Sequence, residues 1–149
     1  MIEVCFDGAC IPYNPGGIAS YGIIIKKGKE YLFTGYGIIG SPPDTSCNLA
    51  EYAGFKAALI WLLTNELETE KIYIYGDSNL VINQMFGTWK IKKGIYKNLA
   101  IETKSLLKCF TDINGSWIPR EQNSEADELS KKSMGNRFYL SNHREQNVV

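Results

Sequence analysis

Residues 1–10 read MIEVCFDGAC. Ile2, Val4 and Phe6 fall at every second position, the pattern of a strand that buries one face. The apolar run then meets a lone acid, Asp7, followed by Gly8. An Asp-Gly pair is a common turn signal. It is equally what a strand looks like when it ends on a carboxylate held at the edge of a sheet. The segments that follow show what kind of sheet this is. IASYGIIIKKG (18–28) and KEYLFTGYGII (29–39) read as two more strands, joined through Gly28 as an antiparallel hairpin. SPPDTS (41–46) cannot be regular, because consecutive prolines remove donors and fix the backbone. NLAEYAGFKAALIWLLT (48–64) reads as a helix with Leu49, Ala53, Ala57, Ile60 and Leu63 as its core-facing positions. KIYIYGDS (71–78) is a fourth strand, again ending on Gly-Asp. SNLVINQMF (78–86) is helical, with Leu80, Ile82, Met85 and Phe86 as core candidates. A connector rich in lysine, WKIKKGIYK (89–97), leads into a second long amphipathic helix, YKNLAIETKSLLKCF (96–110). GSWIPR (115–120) is a last strand, stopped by Pro119, and SEADELSKKSM (124–134) a last helix. The remaining residues, 135–149, show no assignable pattern.

The order β-β-β-α-β-α-α-β-α predicts an α/β fold. An antiparallel meander of three strands passes into helix-linked strands, giving a five-stranded mixed sheet with helices on both faces. At 149 residues the chain is long enough for one domain with a real core. Its 16 basic and 16 acidic residues cancel, so a nucleic-acid partner would need a local basic patch rather than a global field. No apolar run approaches the roughly 20 residues of a membrane span, and MIEVCFDG lacks the pattern of a signal peptide. The expectation is a cytoplasmic protein with no membrane partner.

Cysteines stand at 5, 10, 47 and 109, without a C-x-x-C pair, and the one histidine, His143, cannot complete a zinc site at ligand-like spacing. Cys5 and Cys109 lie in apolar stretches and read as small core residues; a disulfide stays open as an alternative.

Four acids stand at comparable places: Asp7 at the end of the first strand, Glu51 in the first turn of the first helix, Asp77 at the end of the fourth strand and Asp127 in the first turn of the last helix. Strand ends and the helix starts after them share one edge of an open α/β sheet. Four carboxylates gathered there repel one another unless a cation neutralises them. Oxygen donors suit Mg²⁺ or Mn²⁺. Two such ions about 3.5–4 Å apart can activate a water and stabilise a leaving oxygen in phosphodiester hydrolysis. Each acid also has a plainer reading. Asp7-Gly8 could be a turn, Asp77 an N-cap, Glu51 a complement to the helix dipole, and Ser124–Asp127 a capping-box variant. Gly54, three residues after Glu51 on the same helical face, hints at a close approach of backbone there.

Four segments resemble type 1 ribonuclease H: FDGACIPYNPGGIASYG (6–22), NLAEYAGFKAAL (48–59), YGDSNLVINQM (75–85) and WIPREQNSEADELS (117–130), in that family's order. The similarity spans residues 1–133, leaving 134–149 as a tail. The final loop, with Arg120, Glu121, Asn123, Ala126 and Asp127 in the pattern R-E-x-N-x-x-A-D, is most similar to the compact archaeal-type branch. The resemblance implies the ribonuclease H-like fold and endonucleolytic cleavage of the RNA strand of RNA/DNA hybrids. It implies two Mg²⁺ ions, with Mn²⁺ able to substitute, and 5′-phosphate and 3′-hydroxyl ends. It makes Asp7, Glu51, Asp77 and Asp127 the catalytic metal ligands. Asp7 would bridge both ions, Glu51 and Asp77 would hold the ion near the leaving oxygen, and Asp127 the one that activates water. The alternatives are a related nuclease acting on double-stranded RNA and a non-catalytic hybrid-binding module. The expected state is a monomer.

The chain departs from the family pattern twice. The loop PREQNSEAD (119–127) lacks the histidine that many bacterial members carry before the last helix, which leaves Arg120, Glu121 and Asn123 as auxiliary candidates. His143 falls in the polar tail, where a solvated role is expected. Cys47 stands where the family usually has an asparagine that contacts RNA 2′-hydroxyls, and a thiol is a weaker hydrogen-bond partner than an amide. Substrate contacts are then expected from Cys47 and its neighbour Asn48, from the backbone of Gly8, Ala9 and Cys10, and from Gln84. Ser46 matches the family's threonine at a DNA-phosphate pocket. Trp89, Lys90, Lys92 and Lys93 in the connector interleave rings and charge in the manner of a groove that tracks a nucleic-acid backbone.

Overall fold

A computed structural model of the chain describes residues 1–40 and 45–138. Strands β1 (Ile2–Ile11), β2 (Ile18–Lys27) and β3 (Glu30–Gly40) precede α1 (Cys47–Thr64) and β4 (Lys71–Gly76). Helices α2 (Asn79–Met85) and α3 (Lys97–Leu107), strand β5 (Asp112–Trp117), a 3-10 turn (Arg120–Gln122) and helix α4 (Ser124–Phe138) complete the chain. The five strands form one mixed sheet in the order β3-β2-β1-β4-β5. β1 pairs antiparallel with β2 and parallel with β4, and β4 parallel with β5. This is the predicted element order and the predicted sheet. Gly28, at φ +62°, makes the β2–β3 turn that a residue with a Cβ would resist.

The core lies on one face of the sheet. Ile2, Val4 and Phe6 of β1 are fully buried there with Ile23 and Ile25 of β2 and Ile72 and Ile74 of β4. α1 covers them with Phe55, Leu59 and Leu62, each contributing about 1.5–3 kcal/mol by burial. Phe55 stacks on Phe6 at 5.3 Å between ring centroids. α3 packs against α1, with Tyr96 stacked on Tyr52 at 5.7 Å. α4 packs on the opposite face, across β2, β1 and β3. It approaches so closely at Gly22 that an added Cβ would lie 2.5 Å from the Ala126 carbonyl oxygen.

Several expectations are corrected. β1 does not stop at Asp7: it runs on to Ile11, with Asp7 opposite Gly22 of β2. What ends there is its other partner, since the β1–β4 pairing stops at Phe6 and Gly76. The turn reading of Asp7-Gly8 goes with it. The buried residues of α1 are Ala50, Glu51, Tyr52, Gly54, Phe55, Ala58, Leu59 and Leu62, about one residue round from the predicted face. Leu49, Ala53, Ala57 and Leu63 are only partly buried, and Ile60 is exposed. α1 is apolar on nearly every side, so periodicity alone could not choose its inner face. Glu51 lies in the second helical turn, not the first, so the dipole does not account for it. In α2 the buried set is Val81, Ile82, Gln84 and Met85, with Leu80 and Phe86 partly covered. β5 begins at Asp112 rather than Gly115, because its pairing with β4 starts at Lys71. Cys109 is exposed just past α3, whereas Cys10 is buried inside β1. All four cysteines are free thiols. α4 continues past the expected 133/134 boundary to Phe138. His143 and the rest of the tail from 139, like residues 41–44, lie outside the described residues. Among the described residues no helix is long and apolar enough to cross a membrane.

Candidate metal centre

The end of the β1–β4 ladder creates the site. Beyond Phe6, β1 keeps β2 on one side but has lost β4 on the other. Asp7 projects beside that open flank. Asp77 follows the last residue of β4, and Glu51 arrives from α1, whose backbone crosses β1 at Gly8. Asp7, Glu51 and Asp77 each offer a carboxyl oxygen, and these atoms lie within 4.8 Å of one another. Asp7 is 3% exposed and Glu51 7%. Asp77 is not the N-cap of α2; Ser78 is, its hydroxyl accepting from the Val81 amide at 3.2 Å.

Asp127 joins from α4. Its carboxyl interacts with that of Asp7, which interacts in turn with Glu51. Its carboxylate also accepts from Lys131 Nζ at 3.3 Å and lies 3.9 Å from an Arg120 guanidinium nitrogen. Partial burial opposes ionisation of Asp127, but the interaction with Asp7 and the two cations outweigh it and hold its carboxyl below the usual range. Asp7 goes the other way: burial, then its interaction with Asp127 and the charges of Asp77 and Asp127, push it up to about 7. Glu51 is raised well above its ordinary value by burial first and the Asp7 charge second, against a single opposing bond from the Gly8 amide. Without a cation, then, burial and mutual repulsion favour the protonated forms of Asp7 and Glu51.

The donor set fits a hard divalent cation. Its donors are oxygens, and Glu51 Oε2 is buried with no hydrogen-bond partner. A buried carboxylate oxygen left unpaired is costly, and a cation bound by these carboxylates would satisfy it.

The other expected contacts divide. Trp89, Lys90, Lys92 and Lys93 are exposed along the connector, and Leu80, Trp89, Lys90 and Lys92 line a groove of about 430 Å³. Asn48 is exposed at the start of α1; Cys47 and Ser46 are half-buried. Ser46 is the N-cap of α1, its Oγ accepting from the Leu49 amide at 3.1 Å. Ala9 and Cys10 are buried, and the Cys10 thiol donates to the Tyr13 carbonyl at 3.0 Å. Gly8 lies against α1: a Cβ there would lie 2.4 Å from the Glu51 amide nitrogen. Arg120 and Glu121 are exposed at the rim. Asn123 is buried, its Nδ2 donating to the Phe6 carbonyl at 2.9 Å, so it ties the last loop to β1 next to Asp7.

Gln84 lines the same connector groove and is also a structural residue. It is 1% exposed, and its amide is fully used inside the protein. Oε1 accepts from the Tyr52 hydroxyl, and Nε2 donates to the Lys90 carbonyl at 3.0 Å and the Tyr96 hydroxyl at 3.1 Å. It ties α1, α2 and the connector together. Gln84→Leu is expected to lower stability by about 3 kcal/mol, because it strands buried polar partners. A urea titration reading wild-type stability would contradict this role.

Two residues were missed in the sequence. Asn14 accepts from the Cys47 amide at 3.0 Å and so holds the first residue of α1. Gly22 lets α4, with Asp127, approach the sheet. Both sit in the 6–22 segment that carries the family resemblance.

Residues 6–133 match the family described as Reverse transcriptase-like. The bifunctional protein Rv2228c of Mycobacterium tuberculosis is 36% identical over 123 residues, 81% of this chain and 32% of that protein. Ribonuclease HI of Halobacterium salinarum is 28% identical over 133 residues, 89% of this chain and 64% of that one. Among solved structures, LC11-RNase H1 in complex with RNA/DNA hybrid aligns with a TM-score of 0.82 at 27% identity, covering 93% of this chain and 99% of that one. The chain belongs to this family, as a member of the ribonuclease HI type. This ribonuclease HI homologue spans about a third of the length of the mycobacterial relatives it matches. Its acidic centre sits where the sheet opens between β1 and β4.

Proposed function

We propose that the chain is an endoribonuclease that hydrolyses the RNA strand of RNA/DNA hybrids, with Asp7, Glu51, Asp77 and Asp127 as ligands of two divalent ions, Mg²⁺ or Mn²⁺. The observation that carries this reading is the convergence of three carboxylates within 4.8 Å around an unpaired Glu51 oxygen. The hybrid complex of a structural relative supports the substrate class. Bound cations would supply a deprotonated water and charge stabilisation for the leaving oxygen. The chain's own part is to present the donors. Asp7, clustered with Glu51 and Asp77 and facing the charge of Asp127, would be the ligand shared between the ions. Glu51 and Asp77 would serve the leaving-oxygen side, and Asp127 the water side. Arg120, beside Asp127 at the rim, is placed to meet phosphate where relatives carry a loop histidine. Products carry 5′-phosphate and 3′-hydroxyl ends.

A labelled RNA/DNA hybrid incubated with Mg²⁺, with Mn²⁺, and with EDTA tests the activity. Cleavage of the RNA strand in both metals and none in EDTA is expected. Preferential cleavage of double-stranded RNA, or tight hybrid binding without turnover, would replace this reading. The connector groove is expected to hold the nucleic-acid backbone. Substituting Lys90, Lys92 and Lys93 by alanine should raise hybrid KM and reduce the slope of log affinity against log salt by roughly 2. An unchanged slope would place the backbone elsewhere.

A further inference from the structure

We propose that Trp117 is a positioning residue for Asp77, and that its indole N–H sets the affinity of the acidic centre for divalent cations. This deepens the proposed function and rests on Asp77 being a metal ligand.

The three clustered carboxylates differ in how their backbones are held. Asp7 lies within a strand, and Glu51 within a long buried helix. Asp77 alone of the three stands on irregular chain, between the last residue of β4 and the N-cap of α2. Its neighbours are fixed: the Ile118 amide donates to the Gly76 carbonyl at 2.9 Å, and the Ile82 amide to the Ser78 carbonyl at 3.1 Å. The Asp77 carbonyl falls between these two bonds. Trp117, opposite Gly76 at the end of β5, donates from Nε1 to that carbonyl at 3.1 Å.

The indole is 46% exposed, so core packing does not explain it. Its one polar atom is directed at the peptide that carries a clustered carboxylate. A peptide pinned from one side cannot rotate, and so Asp77's carboxyl is presented toward Asp7 and Glu51 before any cation arrives. Without that bond the peptide samples other orientations, and binding must select the competent one. The loss of one neutral hydrogen bond corresponds to about a fivefold change.

The test is calorimetric titration of the full chain with Mn²⁺, without nucleic acid, comparing wild type with Trp117→Phe and Trp117→Tyr. Both keep a ring and remove the indole N–H. About fivefold weaker Mn²⁺ binding is expected, with the metal-free melting temperature close to wild type. In hybrid cleavage the metal requirement should rise by the same factor, while kcat at saturating metal and hybrid KM stay near wild type. The indole emission change on adding Mg²⁺ should also be largely lost in Trp117→Phe. Wild-type Mn²⁺ affinity in both folded variants would overturn the role of Trp117 and leave the metal reading standing. Failure of the wild-type protein to bind Mn²⁺ would overturn both. If the wild type binds Mn²⁺ but does not cleave hybrids, the affinity comparison still decides the role of Trp117.

Discussion

Asp7→Asn is expected to abolish hybrid cleavage, lowering it by at least about 10³-fold, while raising the melting temperature of the metal-free protein at pH 8. The two effects have one cause. Asp7 is buried against Glu51, Asp77 and Asp127, and its pKa is raised from 3.8 to about 7. A group whose pKa is raised on folding contributes stability that is complete below its unfolded pKa. That contribution is lost as pH rises through its folded pKa. The metal-free wild type should therefore weaken between about pH 4 and pH 8, by up to about 4 kcal/mol from this residue. Asparagine carries no charge to lose. At pH 8 the variant should melt several degrees higher, at about 2–4 °C per kcal/mol for a chain of this size. Added Mg²⁺ should stabilise the wild type and close the gap. Because ionised carboxylates bind the cation and both Asp7 and Glu51 hold their protons more tightly than usual, affinity should rise with pH through about 7. Melting curves across pH, with and without Mg²⁺, read all of this. A destabilised metal-free Asp7→Asn at pH 8, or retained cleavage, would remove Asp7 from the centre of the site.

Gly8→Ala is expected to be the most damaging one-methyl change at the site. The new Cβ would sit 2.4 Å from the Glu51 amide nitrogen and 2.6 Å from the Ala50 carbonyl carbon. Both are backbone of a buried helix, so neither can rotate away. α1 must shift, which costs about 3 kcal/mol and should lower the melting temperature by roughly 6–12 °C. The same shift pulls Glu51 from the Gly8 amide and from Asp7, so metal affinity should fall as well. Urea unfolding and Mg²⁺ calorimetry on the variant check both parts. Wild-type stability would mean that α1 does not approach β1 as described.

The strands were legible because their signals are local. Alternation in MIEVCF and the apolar runs of β2 and β4 are properties of a few consecutive residues. The inner face of α1 was not, since a helix apolar on most sides is oriented only by what it packs against. The extent of β1 was missed because its second half is held by β2, a partner whose register no local pattern shows. Gln84 looked like a polar contact on a surface helix. Its partners lie 32, 6 and 12 residues away in sequence, so its burial could not be read from its neighbours.

The candidate site divides in the same way. Sequence alone was enough to single out four acids, because type, spacing and order are written there, although it set Asp7 at a strand end and Glu51 in a first helical turn. It could not show whether those acids meet. That Asp7, Glu51 and Asp77 come within 4.8 Å depends on β4 ending one residue short of Asp7's level and on a glycine that lets α1 cross β1. It depends also on the bond from the β5 tryptophan that holds Asp77. The raised proton affinity of Asp7 and Glu51 follows from that gathering and from burial. Both are through-space effects, and through-space distance is what only the tertiary fold decides.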